Sequence, residues 1–155
     1  MQTVIMAGGK GRRVASVSLQ IPKSLLLLNN KTVLQYQLEA LKKEGLTDIV
    51  ICLGYMSDQI IDFIEKNNNF GMDISFVIES EPMGTAGALK LIPDLSEDFI
   101  LVYGDIIFDI FFKKFIDFHI SKEGIGSLLI HPNDHPEDSD LVQIDDNSKV
   151  VSFLM

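Results

Sequence analysis

Short runs of continuous apolar residues alternate along this chain with stretches in which apolar positions recur every three or four residues. Thr3-Val4-Ile5-Met6-Ala7 is a run of the first kind, ended by Gly8-Gly9, and reads as a strand buried on both faces. Leu25 to Leu28 follows, then a turn at Asn29-Asn30-Lys31. From Thr32, a good N-cap type, Val33, Leu34, Leu38 and Leu41 mark the inner stripe of a helix that reaches Lys43 and stops at Gly45. Thr47 to Leu53 predicts a second buried strand. Ser57 to Asn67 predicts an amphipathic helix with Ile60, Ile61 and Ile64 inward, and Asp73 to Ile78 a third strand. Gly84 to Leu91 predicts a short helix entered through Gly84-Thr85-Ala86-Gly87. Phe99 to Tyr103 predicts a fourth strand, Phe111 to Ser121 a further helix and Ser127 to His131 renewed strand. Leu141 to Ile144 and Val150 to Leu154 flank Asp145-Asp146-Asn147-Ser148, which is a hairpin signal.

Strand and helix alternate in this way when parallel neighbours are joined by helical crossovers, so the pattern predicts an α/β fold with a mostly parallel central sheet. At 155 residues, 46% apolar and 23% charged, the chain has an ordinary globular composition and fits one domain, residues 1–155. The single Cys52 lies inside the apolar run Ile49 to Leu53; it reads as a small core hydrophobe in a reducing, cytoplasmic compartment. Val4 to Ala7 is too short for a signal-peptide core, and no segment reaches transmembrane length. Membrane and nucleic-acid partners are therefore not expected. The chain stops at Met155 inside an apolar strand, which reads as an interruption of the domain and as an open edge through which copies could associate into a homo-oligomer.

Charge changes the picture more than composition does. The net charge is −9, yet residues 1–38 hold Lys10, Arg12, Arg13, Lys23 and Lys31 and no acid, so this segment is at +5 and the remainder at −14. An acidic chain with one basic segment has a focused anion site, not a general polyanion surface. The bases stand in and after the turn Gly8-Gly9-Lys10-Gly11-Arg12-Arg13, whose glycines let backbone N–H groups approach an anion. In an open parallel sheet ligands bind outside the carboxyl ends of the strands. The turns there are Gly8 to Arg13, Glu79 to Gly87, and Gly104-Asp105-Ile106-Ile107-Phe108-Asp109. They offer phosphate donors, a carboxylate beside a helix start, and a further pair of carboxylates, the set a nucleotide with a metal would need. The dinucleotide fingerprint fails because its sixth position, counted from Gly9, is Val14; the common phosphate-binding loop fails because no Gly-Lys-Ser/Thr closes it.

Four motifs in order, Met6-Ala7-Gly8-Gly9-Lys10-Gly11-Arg12-Arg13, Pro22-Lys23-Ser24-Leu25, Glu81-Pro82-Met83-Gly84-Thr85-Ala86-Gly87 and Gly104-Asp105, resemble those of the sugar-1-phosphate nucleotidylyltransferases. His131-Pro132-Asn133-Asp134-His135-Pro136 with Asp138-Ser139-Asp140-Leu141 looks more narrowly like the heptose-1-phosphate and mannose-1-phosphate guanylyltransferase branch. The resemblance covers the nucleotide-binding part of that catalytic domain and implies a Rossmann-like three-layer α/β/α fold. It implies transfer of a nucleoside monophosphate, GMP here, from an NTP to a sugar 1-phosphate, with Mg²⁺ as cofactor. The competing reading is a non-catalytic nucleotide-binding or regulatory module of the same fold.

On that resemblance Arg13 holds the β- and γ-phosphates, and Lys23 lies against the α-phosphate and the incoming sugar phosphate. Ala7, Gly8, Gly9 and Gly11 supply backbone contacts. Arg12 stands where the family has Thr, and either adds a phosphate contact or crowds the triphosphate. Gly84, Thr85 and Gly87 allow backbone approach at a helix N-terminus, and Asp105 ligates the metal. Asp109 either caps the following helix, the reading favoured here, or touches the metal. Glu79 falls where relatives that read uracil or thymine carry Gln. A carboxylate at Glu79 or Glu81 accepts the two donors of a guanine edge, which points to GTP. His119 reads as structural, and His131 and His135 are left unassigned.

Overall fold

A computed structural model describes residues 1–9, 21–84, 86–132 and 140–154, and these gather into two compact units, Met1–Ile110 and Phe111–Met155. In chain order the first unit holds β1 (Gln2–Met6), β2 (Leu27–Leu28), β3 (Lys31–Thr32), α1 (Val33–Lys43), β4 (Asp48–Leu53), α2 (Ser57–Lys66), β5 (Asp73–Ile78) and β6 (Phe99–Tyr103). The second holds α3 (Phe112–Lys122), β7 (Leu141–Ile144) and β8 (Val150–Leu154).

β5, β4, β1 and β6 form one sheet in that order, and every neighbouring pair is parallel. The continuous apolar runs are explained by burial on both faces. Val4, Val50 and Cys52 pack on one side with Ala88 and Ile92. Ile5, Ile49, Ile51 and Leu53, at the alternate positions that face the other side, are also fully enclosed. The expected α/β architecture with a parallel sheet is thus observed.

Local chemistry sets the connections. Asn29 and Asn30 both adopt positive φ, 48° and 68°, as the tight two-residue turn between β2 and β3 requires. The Thr32 hydroxyl accepts the Gln35 N–H at 3.0 Å and caps α1. At the other end of α1, Gly45 takes φ 77° while its N–H donates to Lys42 O and the Leu46 N–H to Leu41 O, a Schellman closure. In the second unit the β7–β8 turn is organised by Asp145, whose carboxylate accepts the N–H groups of Asn147 and Lys149 at 2.9 and 2.8 Å.

One expectation is refined and two are corrected. The short helix expected within Gly84 to Leu91 is observed over Gly87–Leu91 and is a 3-10 helix. α3 begins at Phe112 with Phe111 as N-cap and no side-chain cap bond, so Asp109 does not cap it. Ser127 to His131 has strand composition but no strand geometry, because an extended segment becomes a strand only through a ladder and none of the described strands pairs with it. No described helix is long and apolar enough to cross a membrane.

Candidate functional site

From β1 the chain proceeds to β4 and β5 on one side and then returns to β6 on the other, so the winding reverses between β1 and β6. Sheets of this kind open a crevice outside the carboxyl ends of the strands at that reversal. The ladder here continues one rung past the strands. The Ala7 N–H donates to Cys52 O at 2.8 Å, the Glu79 N–H to Leu53 O at 2.8 Å, and the Gly104 N–H to Met6 O at 2.9 Å. Those rungs fix the turns after β1, β5 and β6 against one another.

The strand ends also approach closely. A Cβ on Gly54 would lie 2.9 Å from Gly8 O, and one on Gly104 would lie 3.0 Å from both Ala7 Cβ and Met6 O. Only glycine permits backbones to meet this way. Beyond them is a cleft of about 470 Å³, a size that accommodates a small-molecule ligand, and its lining includes Ala7, Gly8, Gly9, Lys23, Glu79 and Asp105.

Lys23 arrives from a 3-10 turn, Lys23–Leu25, that follows the buried Pro22. Its Nζ stands 3.3 Å from the Asp105 carboxylate, which comes from the turn after β6; the two side chains are 26% and 49% exposed. One wall thus carries a cation and an anion side by side, both open to a ligand. On the other wall Glu79 is only partly enclosed, but its Oε1 is buried and lacks a hydrogen-bond partner among the described residues, while its Oε2 faces Gly8. A buried carboxylate oxygen without a donor is costly, of order 1–3 kcal/mol or more for a charged group, and a ligand donor would relieve that cost. Burial pushes the neighbouring Cys52 thiol up to about 11, and the Glu79 charge adds to the effect. Cys52 is therefore an inert thiol in the cleft floor.

Of the site residues expected from sequence, Ala7, Gly8, Gly9, Lys23, Glu79, Gly84 and Asp105 line this one cleft. Gly84 has φ 78°, which favours glycine. Gly87 opens the 3-10 turn beside it, where an added Cβ would collide with the Met83 side chain. Glu81 is exposed and does not line the cleft, so of the two acids offered for reading a base the geometry favours Glu79. Gly11, Arg12, Arg13 and Thr85 lie outside the described residues. His119 Nδ1 sits 3.0 Å from Ser127 Oγ, consistent with a structural role.

Three participants were not singled out from sequence: Gly54, Ser24 and Gln37. Gly54 had a readable signal, since it follows an apolar run just as Gly8 and Gly104 do. Ser24 lines the cleft and is buried, with its hydroxyl unpaired among the described residues. Gln37 had the clearest signal, a polar residue one turn from Leu34 and Leu41 on the inner stripe of α1, and it is 1% exposed.

Among the described residues no three His, Cys, Asp or Glu side chains cluster as a metal site. Among the described residues, Asp105 is the carboxylate that stands beside Lys23 in the cleft lining.

Comparison with known proteins agrees with the α/β fold. The family profile described as Nucleotidyl transferase matches residues 2–154. Mannose-1-phosphate guanyltransferase of Saccharomyces cerevisiae is 34% identical over 141 residues, which is 88% of this chain and 39% of that protein. The crystal structure of HddC from Yersinia pseudotuberculosis complexed with GMP-PN superposes with a TM-score of 0.74 at 32% identity, over 99% of this chain and 68% of that one. A putative glucose-1-phosphate thymidylyltransferase from Bacillus anthracis, in complex with a sucrose, shares the fold with a TM-score of 0.81 at 23% identity, covering 99% of this chain and 63% of that one. The chain spans about two fifths of the length of the yeast protein.

Proposed function

The chain belongs to the nucleotidyl transferase family, and on that premise we propose that it binds GTP over the carboxyl ends of β1, β5 and β6 and transfers GMP to a sugar 1-phosphate. The observation that carries the reading is the convergence of a glycine turn, Lys23, Glu79 and Asp105 on one cleft at the sheet's reversal. The names of the similar proteins support it: a mannose-1-phosphate guanyltransferase, and a structure solved with GMP-PN.

In the proposed reaction an oxygen of the sugar phosphate attacks the α-phosphorus of GTP. The new P–O bond forms as the bond to the bridging α–β oxygen breaks, and that electron pair leaves with pyrophosphate. The acceptor is already an anion, so the protein need not remove a proton. Its work is to hold two phosphates together and offset their charge. Lys23 would contact the α-phosphate and the acceptor, exchanging its weak surface pair with Asp105 for phosphate oxygens. Asp105 would hold Mg²⁺, which supplies charge neutralisation on the phosphates when bound. Arg13 is assigned to the β- and γ-phosphates by its place in the motif. The Glu79 carboxylate would accept guanine N1–H and N2–H₂ through its two oxygens, a pair of donors that neither uracil nor adenine presents in that arrangement.

Pyrophosphate release from GTP and mannose 1-phosphate with Mg²⁺ tests the reading. Turnover by the 155-residue chain that falls about 10²–10³-fold in Lys23→Ala is expected, the loss typical of one charge-stabilising contact. Equal rates in the two proteins would refute Lys23's role. Because the chain covers 39% of the yeast relative, a second reading stands beside the first: magnesium-dependent GTP binding without pyrophosphate release, the behaviour of a nucleotide-binding module.

A further inference from the structure

We propose that Gln37 of α1 is a positioning residue that sets the Asp105 carboxylate through the backbone of its turn. The Gln37 side-chain amide is 1% exposed, and its Nε2 donates to two carbonyls, Tyr103 O and Ile106 O, each at 2.7 Å. These carbonyls bracket Gly104-Asp105, so one amide group clamps both ends of the turn that presents the carboxylate. Two acceptors at that distance fix which end of the amide is nitrogen.

The turn has few other restraints. The Gly104 N–H reaches Met6 O at 2.9 Å, and the Ile106 N–H meets Tyr103 O only at the limiting 3.5 Å. Among the described residues, the Asp105 side chain pairs only with Lys23, an exposed contact. The amide is also an expensive way to fill the inner stripe of α1, because its Oε1 is buried without a hydrogen-bond partner among the described residues. An apolar residue of similar size would fill the space without that cost. What the amide adds is two donors aimed at the turn.

The function of the clamp rests on the reading that Asp105 holds Mg²⁺; the clamp itself does not. Two measurements on the 155-residue chain separate the two. The first is amide hydrogen exchange over residues 104–107 without metal or nucleotide, in wild type and Gln37→Met, which keeps the length and removes both donors. Exchange there should accelerate at least tenfold more than in β4. Acceleration spread equally over the sheet, or absent, would overturn the clamp.

The second is the Mg²⁺ concentration that half-saturates GTP binding, with Asp105→Asn measured in parallel. Gln37→Met should raise that concentration about 10–100-fold, the range typical when a partner behind a metal ligand is lost, and leave GTP binding in EDTA unchanged. An unchanged Mg²⁺ requirement in Gln37→Met, with Asp105→Asn impaired, would reduce Gln37 to a structural residue and overturn the proposal. An unchanged requirement in Asp105→Asn would instead overturn the metal reading, and the exchange rates would still decide the clamp. Gln37→Asn, one methylene too short to reach both carbonyls, should give the same direction in both measurements if Gln37→Met does not fold.

Discussion

Lys23 and Asp105 stand 3.3 Å apart with substantial exposure on both sides. Pairs so placed contribute only ~0.2–1 kcal/mol to stability, because solvent screens them and both side chains give up freedom to meet. Stability and binding therefore separate at this residue. Lys23→Ala should lower the unfolding free energy by less than ~1 kcal/mol in a urea titration and still weaken triphosphate binding measured by calorimetry. Cys52 gives a pH signature. Its thiol is pushed up from the ordinary 9.0 to about 11, first by burial and then by the Glu79 charge. Between those values the unfolded chain releases a proton that the folded chain keeps. The contribution is complete below pH 9 and is lost as pH rises toward 11. Cys52→Ala should show a shallower fall in urea midpoint across that window than wild type; parallel curves would contradict the burial argument.

At the level of elements, the strand ends matter more than the strands. Gly54→Ala would put a Cβ 2.9 Å from Gly8 O. Backbone cannot yield as a flexible side chain does, so a loss of ~1–3 kcal/mol is expected, as for overpacking elsewhere, with weaker GTP binding as Gly8 is displaced. Thr32→Ala removes the α1 cap and should cost ~1 kcal/mol, read from the same titration, with nucleotide affinity little altered. The contrast identifies which losses belong to the cleft. Sequence periodicity revealed β1, β4, β5, β6 and the β7–β8 hairpin because each is short, apolar and bounded by turn residues. It misread Ser127 to His131, since composition measures a wish to be buried and a strand also needs a partner. It overestimated Gly84 to Leu91 for the opposite reason: Gly87 is costly inside an α-helix, and Pro93 closes the segment before a second turn can form.

For the whole molecule, the charge asymmetry and the four ordered motifs were enough to identify the family and to bring seven of the named site residues, from Ala7 to Asp105, to one cleft. Gln37 was not legible in the same way. Its role lies in two long-range hydrogen bonds to carbonyls, and backbone carbonyls leave no mark in a residue pattern. Glu79 and Glu81 were indistinguishable for a related reason: two acids two residues apart become different only when one has an oxygen enclosed beside Gly8 and the other lies exposed. That enclosure supports the proposed choice of guanine. Calorimetric titration of the chain with GTP, ATP and UTP in Mg²⁺ tests it most directly. GTP should bind tightest and Glu79→Gln should remove most of the preference; ATP or UTP binding as tightly as GTP to the wild-type chain would rule out base reading by Glu79.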